Sequence, residues 1–480
     1  MVTTLAVFTR DLRVHDNPVL AAAAHEAEHV VPVFVRDTRS PTVATTETGR
    51  SLFASGDRQR FLDESLADLD ESLRNLGGRL VLRSGDPVEQ ICQLADEAGA
   101  ARVHIAADSS AYAQRRQEAL GKAVGERGRE LRCHDEVHAV IAPGRLTPAD
   151  RDHFAVFTPY YRRWVDTPRR RVLSPPGRLS LPDLDLGASP TDGRDAGGRT
   201  GRDRGDGGDG EGGGFVGGES AGRRRAERWL GESAPDRVHG YRDGVHGYDD
   251  SQDRLAEDGT SRLSPYLHLG CVSALELVTR AGASDGALTF VRQLAWRDFY
   301  QQLLAARLAV AWADYRPGRR EWRTDPAARE ALEAWRTGRT GIPIVDAGMR
   351  QLHAEGWLHN RARLITGSFL TKTLGIDWRA GAAHYLEHLV DGDLANNNLN
   401  WQWIAGTGTD TRPNRVLNPL RQAERYDPDG TYVRRHVPEL AHLPGPAVHR
   451  PWRLPEGERQ ALDYPPPIMN PDDGFGRVRL

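Results

Sequence analysis

With 480 residues, 39% of them hydrophobic, the chain holds material for two or three cores and excludes a mini-protein, collagen-like or coiled-coil reading. No run of about 18 apolar residues is present to span a bilayer, and the first apolar run is cut short by Arg10 and Asp11 before it reaches the length of a signal-peptide core. A formal charge of −3 gives no global pull toward nucleic acid, and three scattered cysteines (Cys92, Cys133, Cys271) support neither a disulfide framework nor a cysteine-based metal site. The expectation is a soluble, cytoplasmic protein with no membrane attachment and no metal. Lys122 and Lys372 are the only lysines among 64 basic residues, so its cationic contacts are arginine contacts.

Residues 1–140 alternate short apolar runs (Leu5–Phe8, Val30–Val35, Leu80–Leu82, Val103–Ala106) with polar-apolar stretches such as Asp57–Leu76 and Pro87–Ala98. Strands alternating with helices predict βαβ units and a parallel sheet, a Rossmann-like α/β domain. Neither GxGxxG nor GxxxxGK[ST] is present in residues 1–140, so nothing in this stretch specifies a dinucleotide or a nucleoside triphosphate. Ligands of such sheets sit beyond the carboxyl ends of the strands, which points to Thr9–Arg13 and Ala107–Arg116.

Residues 141–225 read as an interdomain linker. Within it, 187–222 holds 15 of the 50 glycines amid mixed charge and is expected to be disordered. From 226 to 465 the chain turns helical and aromatic, with ten of its 11 tryptophans beyond Arg223 and helical spacing in Gly286–Leu308, Pro343–Glu355 and Asn360–Thr373. Breaks at Gly338–Gly341, Gly375, Asp391–Gly392 and Gly406–Gly408 separate these helices, and a short tail, 466–480, follows. The fold class is therefore α/β followed by all-α.

Three segments of the helical half are poorly explained by packing. In GTSRLSPYLHLG (Gly259–Gly270), hydroxyls, backbone N–H groups and Arg262 gather where Ser264–Pro265 opens a helix, a phosphate-binding arrangement or a plain N-cap. In QLAWRDFY, Gln293, Trp296, Arg297 and Tyr300 share one helix face suited to stacking and hydrogen-bonding a planar base. Third, HNRARLITGSFL (His359–Leu370) is followed by DGDLANNNLNWQW, which crowds Asp391, Asp393 and four asparagines beside Trp401 and Trp403.

Together these segments resemble the photolyase/cryptochrome flavoproteins and, within them, the bacterial class I photolyases that act on cyclobutane pyrimidine dimers. The family's ordered motifs appear as Thr260–Pro265, Trp296–Tyr300, Gly341–Leu352, Gly356–Arg363, Asp391–Asn398 and Trp401–Trp403, preceded by FTRDLRVHDNP at Phe8–Pro18. The resemblance implies an FAD-binding helical domain in which Tyr248, Thr260, Ser261, Arg262, Leu263 and Ser264 hold phosphates. Arg363 and Asp391 would pair beside the isoalloxazine, with Gly392 and Asp393 lining the cofactor. Asn397 would face flavin N5, where a neutral amide suits a reduced, anionic flavin. It implies an electron-transfer chain Trp401–Trp378–Trp322, and a substrate face of Gln293, Trp296, Arg297, Asn360, Arg361, Leu364 and Trp403 for a lesion flipped out of damaged DNA. A second, antenna chromophore of folate or deazaflavin type is expected in the N-terminal domain, and a monomer is the family's usual form.

The implied activity is a carbon-carbon lyase reaction: light-driven electron transfer from reduced FAD splits the dimer. Two pocket residues depart from the dimer photolyases, Gln293 for glutamate and Leu364 for methionine, which predicts reduced rather than absent repair. The histidine pair that (6-4) repair needs is missing, Asn360 and Leu364 standing in its place. After Asp410, TRPNRVLNP replaces a PYFRIFNP-like segment. A cryptochrome-like photoreceptor without repair activity is the alternative; signalling members typically carry a C-terminal extension, whereas only Tyr464–Leu480 follows here.

Overall fold

The computed structural model describes residues 2–38, 55–183, 185, 187, 189–190, 214–231, 244–257, 259–318 and 321–476. The chain divides into two compact units. One comprises Met1–His239, Asp243–His246 and Ser261–Leu308; the other comprises Gly240–Arg242, Gly247–Thr260 and Ala309–Leu480.

The first unit is built on five parallel strands: β1 (Thr3–Phe8), β2 (His29–Asp37), β3 (Val81–Gly85), β4 (Arg102–Ala106) and β5 (Glu130–His134), in the order β3-β2-β1-β4-β5. Every residue of β1 is buried, because helices cover both faces of a parallel sheet. Leu5 stands opposite Val31 of β2 and Val103 of β4, and the core formed by these side chains takes in Ile91 and Leu94 from the helix after β3. β5 (ELRCH) escaped the sequence reading because its charged residues mask any apolar run. The covering helices α1 (Pro18–Glu26), α2 (Gly56–Asn75), α3 (Pro87–Glu97) and α4 (Ala111–Gly125) each begin with a side-chain cap, from Asn17, Ser55, Asp86 and Ser110.

The unit continues through α5 (Phe157–Asp166) and α6 (Glu219–Leu230). The start of α6 corrects the expectation of disorder over 187–222. The Glu219 carboxylate accepts from the backbone N–H groups of Val14 and His15 at 2.7 and 3.0 Å, and Gly222 packs so tightly that an added Cβ would lie 2.6 Å from Val272. Residues 191–213 of that tract lie outside the described residues. The one-turn helix α7 (Tyr248–Ser251) belongs to the second unit; α8 (Ser264–His268), α9 (Ala274–Arg280) and the long α10 (Asp285–Ala306) complete the first.

The second unit adds α11 (Pro326–Arg336), α12 (Pro343–Glu355), α13 (Asn360–Ser368), α14 (Trp378–His388), α15 (Leu394–Ala405), α16 (Pro419–Tyr426) and α17 (Thr431–His436). The breaks read from the sequence fall between these helices: Gly375 precedes α14, Asp391–Gly392 precedes α15, and Gly406 ends α15 in a left-handed conformation. Trp335, Phe369, Trp378, Tyr385 and Trp401 form the centre of its core.

Candidate functional site

In the helical unit the residues around Asp391 form a buried polar wall. The Asp391 side chain is only 3% exposed and accepts two hydrogen bonds from Arg363 Nη2, at 3.0 and 2.8 Å; Arg363 Nε donates to the Leu358 carbonyl at 2.8 Å. Asp393 caps α15 by accepting from the backbone and side-chain N–H groups of Asn396, and Gly392 between the two aspartates is buried. The next turn of α15 carries a directional amide relay. Asn398 Nδ2 donates to the Ala311 carbonyl, so its Oδ1 is an acceptor, and Asn397 Nδ2 donates to that oxygen at 2.8 Å and to the Ala382 carbonyl at 3.0 Å. Both donors of Asn397 are engaged, which leaves its buried carbonyl oxygen as the group available to a ligand.

Of the three chain tryptophans, Trp401 and Trp378 are buried in the core and Trp322 packs half-buried against it. Trp378 Nε1 donates to Asp314 at 2.8 Å, and the Arg379 guanidinium lies 4.8 Å from its ring centre. Trp401 stands edge-on to Tyr385 at 4.9 Å and to Trp335 at 6.0 Å. Gly381 of α14 makes room for it: a Cβ there would meet Trp401 Cη2 at 2.3 Å. Glycine at 381 was legible in the sequence, but its purpose was not.

The segment Thr260–Ser264 is conformationally unusual. Arg262 has φ of +47°, a left-handed conformation that is energetically unfavourable for any residue with a Cβ and that clusters at functional sites. The buried hydroxyl of Thr260 has no hydrogen-bond partner among the described residues. Leu263 is buried in the cap position of α8, with Pro265 in the first turn as expected. The expected Ser264 cap is replaced by an uncapped start, Ser264 being the first helical residue. Tyr248, half-buried, opens α7.

The residues expected to meet substrate divide into two kinds. Trp296 stacks on Phe157 of α5 with ring centres 3.7 Å apart and planes 8° from parallel, and Phe157 in turn stacks on Tyr161 at 5.5 Å. Trp296 and Gln293 remain half-exposed on α10, whereas Tyr300 of the same face is buried. Arg297 differs from expectation: its guanidinium donates to the carbonyls of His138 and Leu267 and so ties α10 to its own unit. Asp298, also unremarked in the sequence, is buried and accepts from Trp164 Nε1 and from the N–H groups of Val140 and Ile141; burial pushes its carboxyl up to about 6. In the helical unit Asn360 is exposed and Leu364 half-buried at the start of α13. Arg361 is bound bidentately by Asp253, at 3.1 and 2.5 Å, and stacks on Tyr426, so its charge is answered within the unit. Trp403 is half-exposed, with the Arg415 guanidinium 4.7 Å from its ring centre. Arg415 belongs to the altered loop after Asp410. Lys372 Nζ straps that loop to the end of α15 through the carbonyls of Pro413 and Ala405, at 2.6 and 2.7 Å.

In the α/β unit, the two loops at the switch point between β1 and β4 are joined by an ion pair from Arg10 to Asp108 at 2.7 Å. The loop after β4 borders a cavity of about 520 Å³ lined in part by Asp108, Gln114, Glu118, Cys133, Asp135 and Gln301. Burial raises the Asp108 carboxyl, but Arg10, His138 and the Ser110 N–H outweigh it and hold the group well below the usual carboxylate range. Burial and the charge of Arg10 push His138 down to about 3.

The molecule thus pairs a parallel α/β unit with a helical unit that holds a buried ion pair, a fixed amide acceptor and core tryptophans. Residues 4–177 match the family model for DNA photolyase, and residues 290–478 match that for the FAD binding domain of DNA photolyase. The chain is 48% identical to the deoxyribodipyrimidine photo-lyase of Streptomyces griseus, over 98% of this chain and 97% of the relative. It is 35% identical to a cryptochrome DASH of Natronomonas pharaonis, over 98% and 99%. The crystal structure of a bacterial class III photolyase from Agrobacterium tumefaciens superposes with a TM-score of 0.84 at 30% identity, covering 99% of this chain and 96% of that one. The chain belongs to the DNA photolyase family.

FAD is the cofactor this family membership implies, and the residues present fit it. Among the described residues of the helical unit, the buried Thr260 hydroxyl has no hydrogen-bond partner and the Asn397 carbonyl oxygen is oriented by its own relay, and both suit a polar ligand.

Proposed function

We infer that this protein is a light-dependent DNA photolyase that splits cyclobutane pyrimidine dimers. The observation that carries the reading is the conjunction of the Arg363–Asp391 pair, the oriented Asn397 oxygen and the Trp401 and Trp378 core in a chain of this family. When bound and reduced, FAD supplies the electron that light drives onto the lesion.

The chain's own residues do the rest. Arg363 fixes the buried Asp391 carboxylate in place through two hydrogen bonds, which gives the flavin site a polar group of defined position. Asn397 offers an acceptor and no proton, and its orientation is set by Asn398 and Ala382 rather than by the ligand. Thr260, Ser261, Arg262 and Ser264 supply groups for phosphate oxygens. Trp401, Trp378 and Trp322 deliver an electron from the surface, indole being among the most easily oxidised side chains. The hydrogen bond from Trp378 to Asp314 and the Arg379 cation over its ring have opposite electrostatic effects on a hole at Trp378.

In the first unit, Trp296, backed by Phe157 and Tyr161, offers a ring for stacking a flipped base, and Gln293 offers an amide donor to a base carbonyl. In the helical unit, Trp403, Asn360 and Leu364 are the residues proposed to meet substrate. Arg297 and Arg361 act through position, holding α10 and α13 in place. The α/β cavity beside Asp108 accommodates a second chromophore, its carboxylates and amides answering ring N–H donors. On this reading the protein works as a cytoplasmic monomer. Illumination of the reduced holoprotein with a dimer-containing oligonucleotide tests the proposal.

A further inference from the structure

The helical unit holds a cluster that the photochemistry does not use. His384 and His388 stand four residues apart and share one face of α14, and His353 approaches from the last turn of α12. The ring centres lie 4.4 Å apart for His353 and His388, 4.6 Å for His384 and His388, and 5.4 Å for His353 and His384. One ring nitrogen from each falls within 4.8 Å of the other two. We propose that His353, His384 and His388 form a binding site for a divalent transition-metal ion of the zinc type.

Four features support a ligand here. His384 is 6% exposed and among the described residues its buried Nε2 has no hydrogen-bond partner, a state that folded proteins rarely leave uncompensated. His353 Nε2 donates to the Arg336 carbonyl at 2.7 Å, which fixes the tautomer and leaves Nδ1 with the lone pair a metal needs, the usual support of a ligating imidazole. His353 and His388 each lie in the last turn of a helix, where the carbonyl ends favour a cation. His353 is exposed and His388 half-exposed, so both rings are able to close on an ion. Tetrahedral zinc at about 2.0–2.1 Å needs nitrogens roughly 3.3 Å apart, a movement of about 1 Å per ring. The positive charge of Arg336 opposes a cation, with Glu333 at 3.9 Å as a partial counterweight.

Three imidazoles and a surface-facing fourth position suit zinc, copper or nickel ahead of magnesium or calcium. Such an ion would clamp α12 to α14, the helix that carries Trp378 and the Gly381 notch for Trp401. The test uses untagged, chelator-treated flavin-containing protein and Zn²⁺ titrated by calorimetry, with X-ray absorption on the loaded sample. The expected result is one ion per chain with imidazole nitrogens in its shell, and binding weakened at least about tenfold in His353→Ala and in His388→Ala. These two are the accessible members, so their variants keep the core intact; circular dichroism of each checks that it does. No saturable binding by the parent protein, or binding in both variants as strong as the parent's, overturns the proposal.

Discussion

Replacing Arg363 by alanine isolates the ion pair on which the proposed flavin site rests. The Asp391 side chain is 3% exposed and receives both of its Arg363 hydrogen bonds from a single nitrogen, while the arginine is 23% exposed. Removing one partner of a buried pair costs about 3–5 kcal/mol, chiefly the charge left behind. Water admitted by the half-open arginine side places this case near the lower end, about 3 kcal/mol, or roughly a 150-fold loss in an equilibrium constant. The cost falls on flavin retention, on the fold, or on both. It is measured as the flavin-to-protein absorbance ratio after exhaustive dialysis and as the urea midpoint of the stripped protein. Adding Asp391→Asn to Arg363→Ala removes the orphaned charge, so the double variant should regain stability relative to Arg363→Ala. A single variant with a full flavin complement and a stability within about 0.5 kcal/mol of the parent would refute the reasoning.

Trp401→Phe should abolish light-driven flavin reduction while leaving flavin bound, and Gly381→Ala should slow it by pushing the Trp401 ring from its notch; photoreduction at the parent rate in both would remove Trp401 from the chain. Gln293→Glu should raise repair yield by supplying a proton to the lesion radical, measured as dimers split per photon absorbed, and an unchanged yield would shift the limit to Leu364 or the loop after Asp410. Acid should unfold the α/β unit early. His138 and His104 are pushed down from an ordinary 6.5 to about 3 and about 4, by burial first and then by Arg10 and by His134 respectively. Below pH 6.5 the unfolded chain therefore takes up protons that the folded one refuses, and stability falls until about pH 4 on account of His104 and about pH 3 on account of His138. Asp298, raised to about 6, acts in the opposite sense, but its rise is smaller than either histidine's fall. At pH 5 His104→Asn should lower the slope of stability against pH by close to one proton, about 1.4 kcal/mol per pH unit; an unaltered slope would show that His104 titrates normally in the fold.

The α/β unit was legible because buried parallel strands are written as unbroken apolar runs, and β1, β2 and β4 follow them. β5 was not, since an edge strand with charged residues carries no such run. The helical breaks at Gly375, Asp391–Gly392 and Gly406 were legible because glycine and caps mark chain reversal locally. Long-range partnership was harder. Arg297 and Arg361 sit in motifs that suggested contact with DNA, yet His138, Leu267 and Asp253 claim their guanidinium groups. The start of α6 at Glu219 depends on N–H groups some 200 residues earlier, which no local composition announces. The histidine trio was half written in the sequence as His384 and His388, four apart, but its third member comes from another helix and no cysteine drew attention to it.

The central claim is repair of a pyrimidine dimer by this chain. It is tested most directly with purified, reduced flavoprotein and an oligonucleotide bearing one cyclobutane thymine dimer, by quantifying recovered thymines after blue light and in darkness. The account predicts recovery that depends on light and is lost when the flavin is removed. Intact flavin photoreduction with no thymine recovered would contradict it and identify a light-sensing member of the family instead.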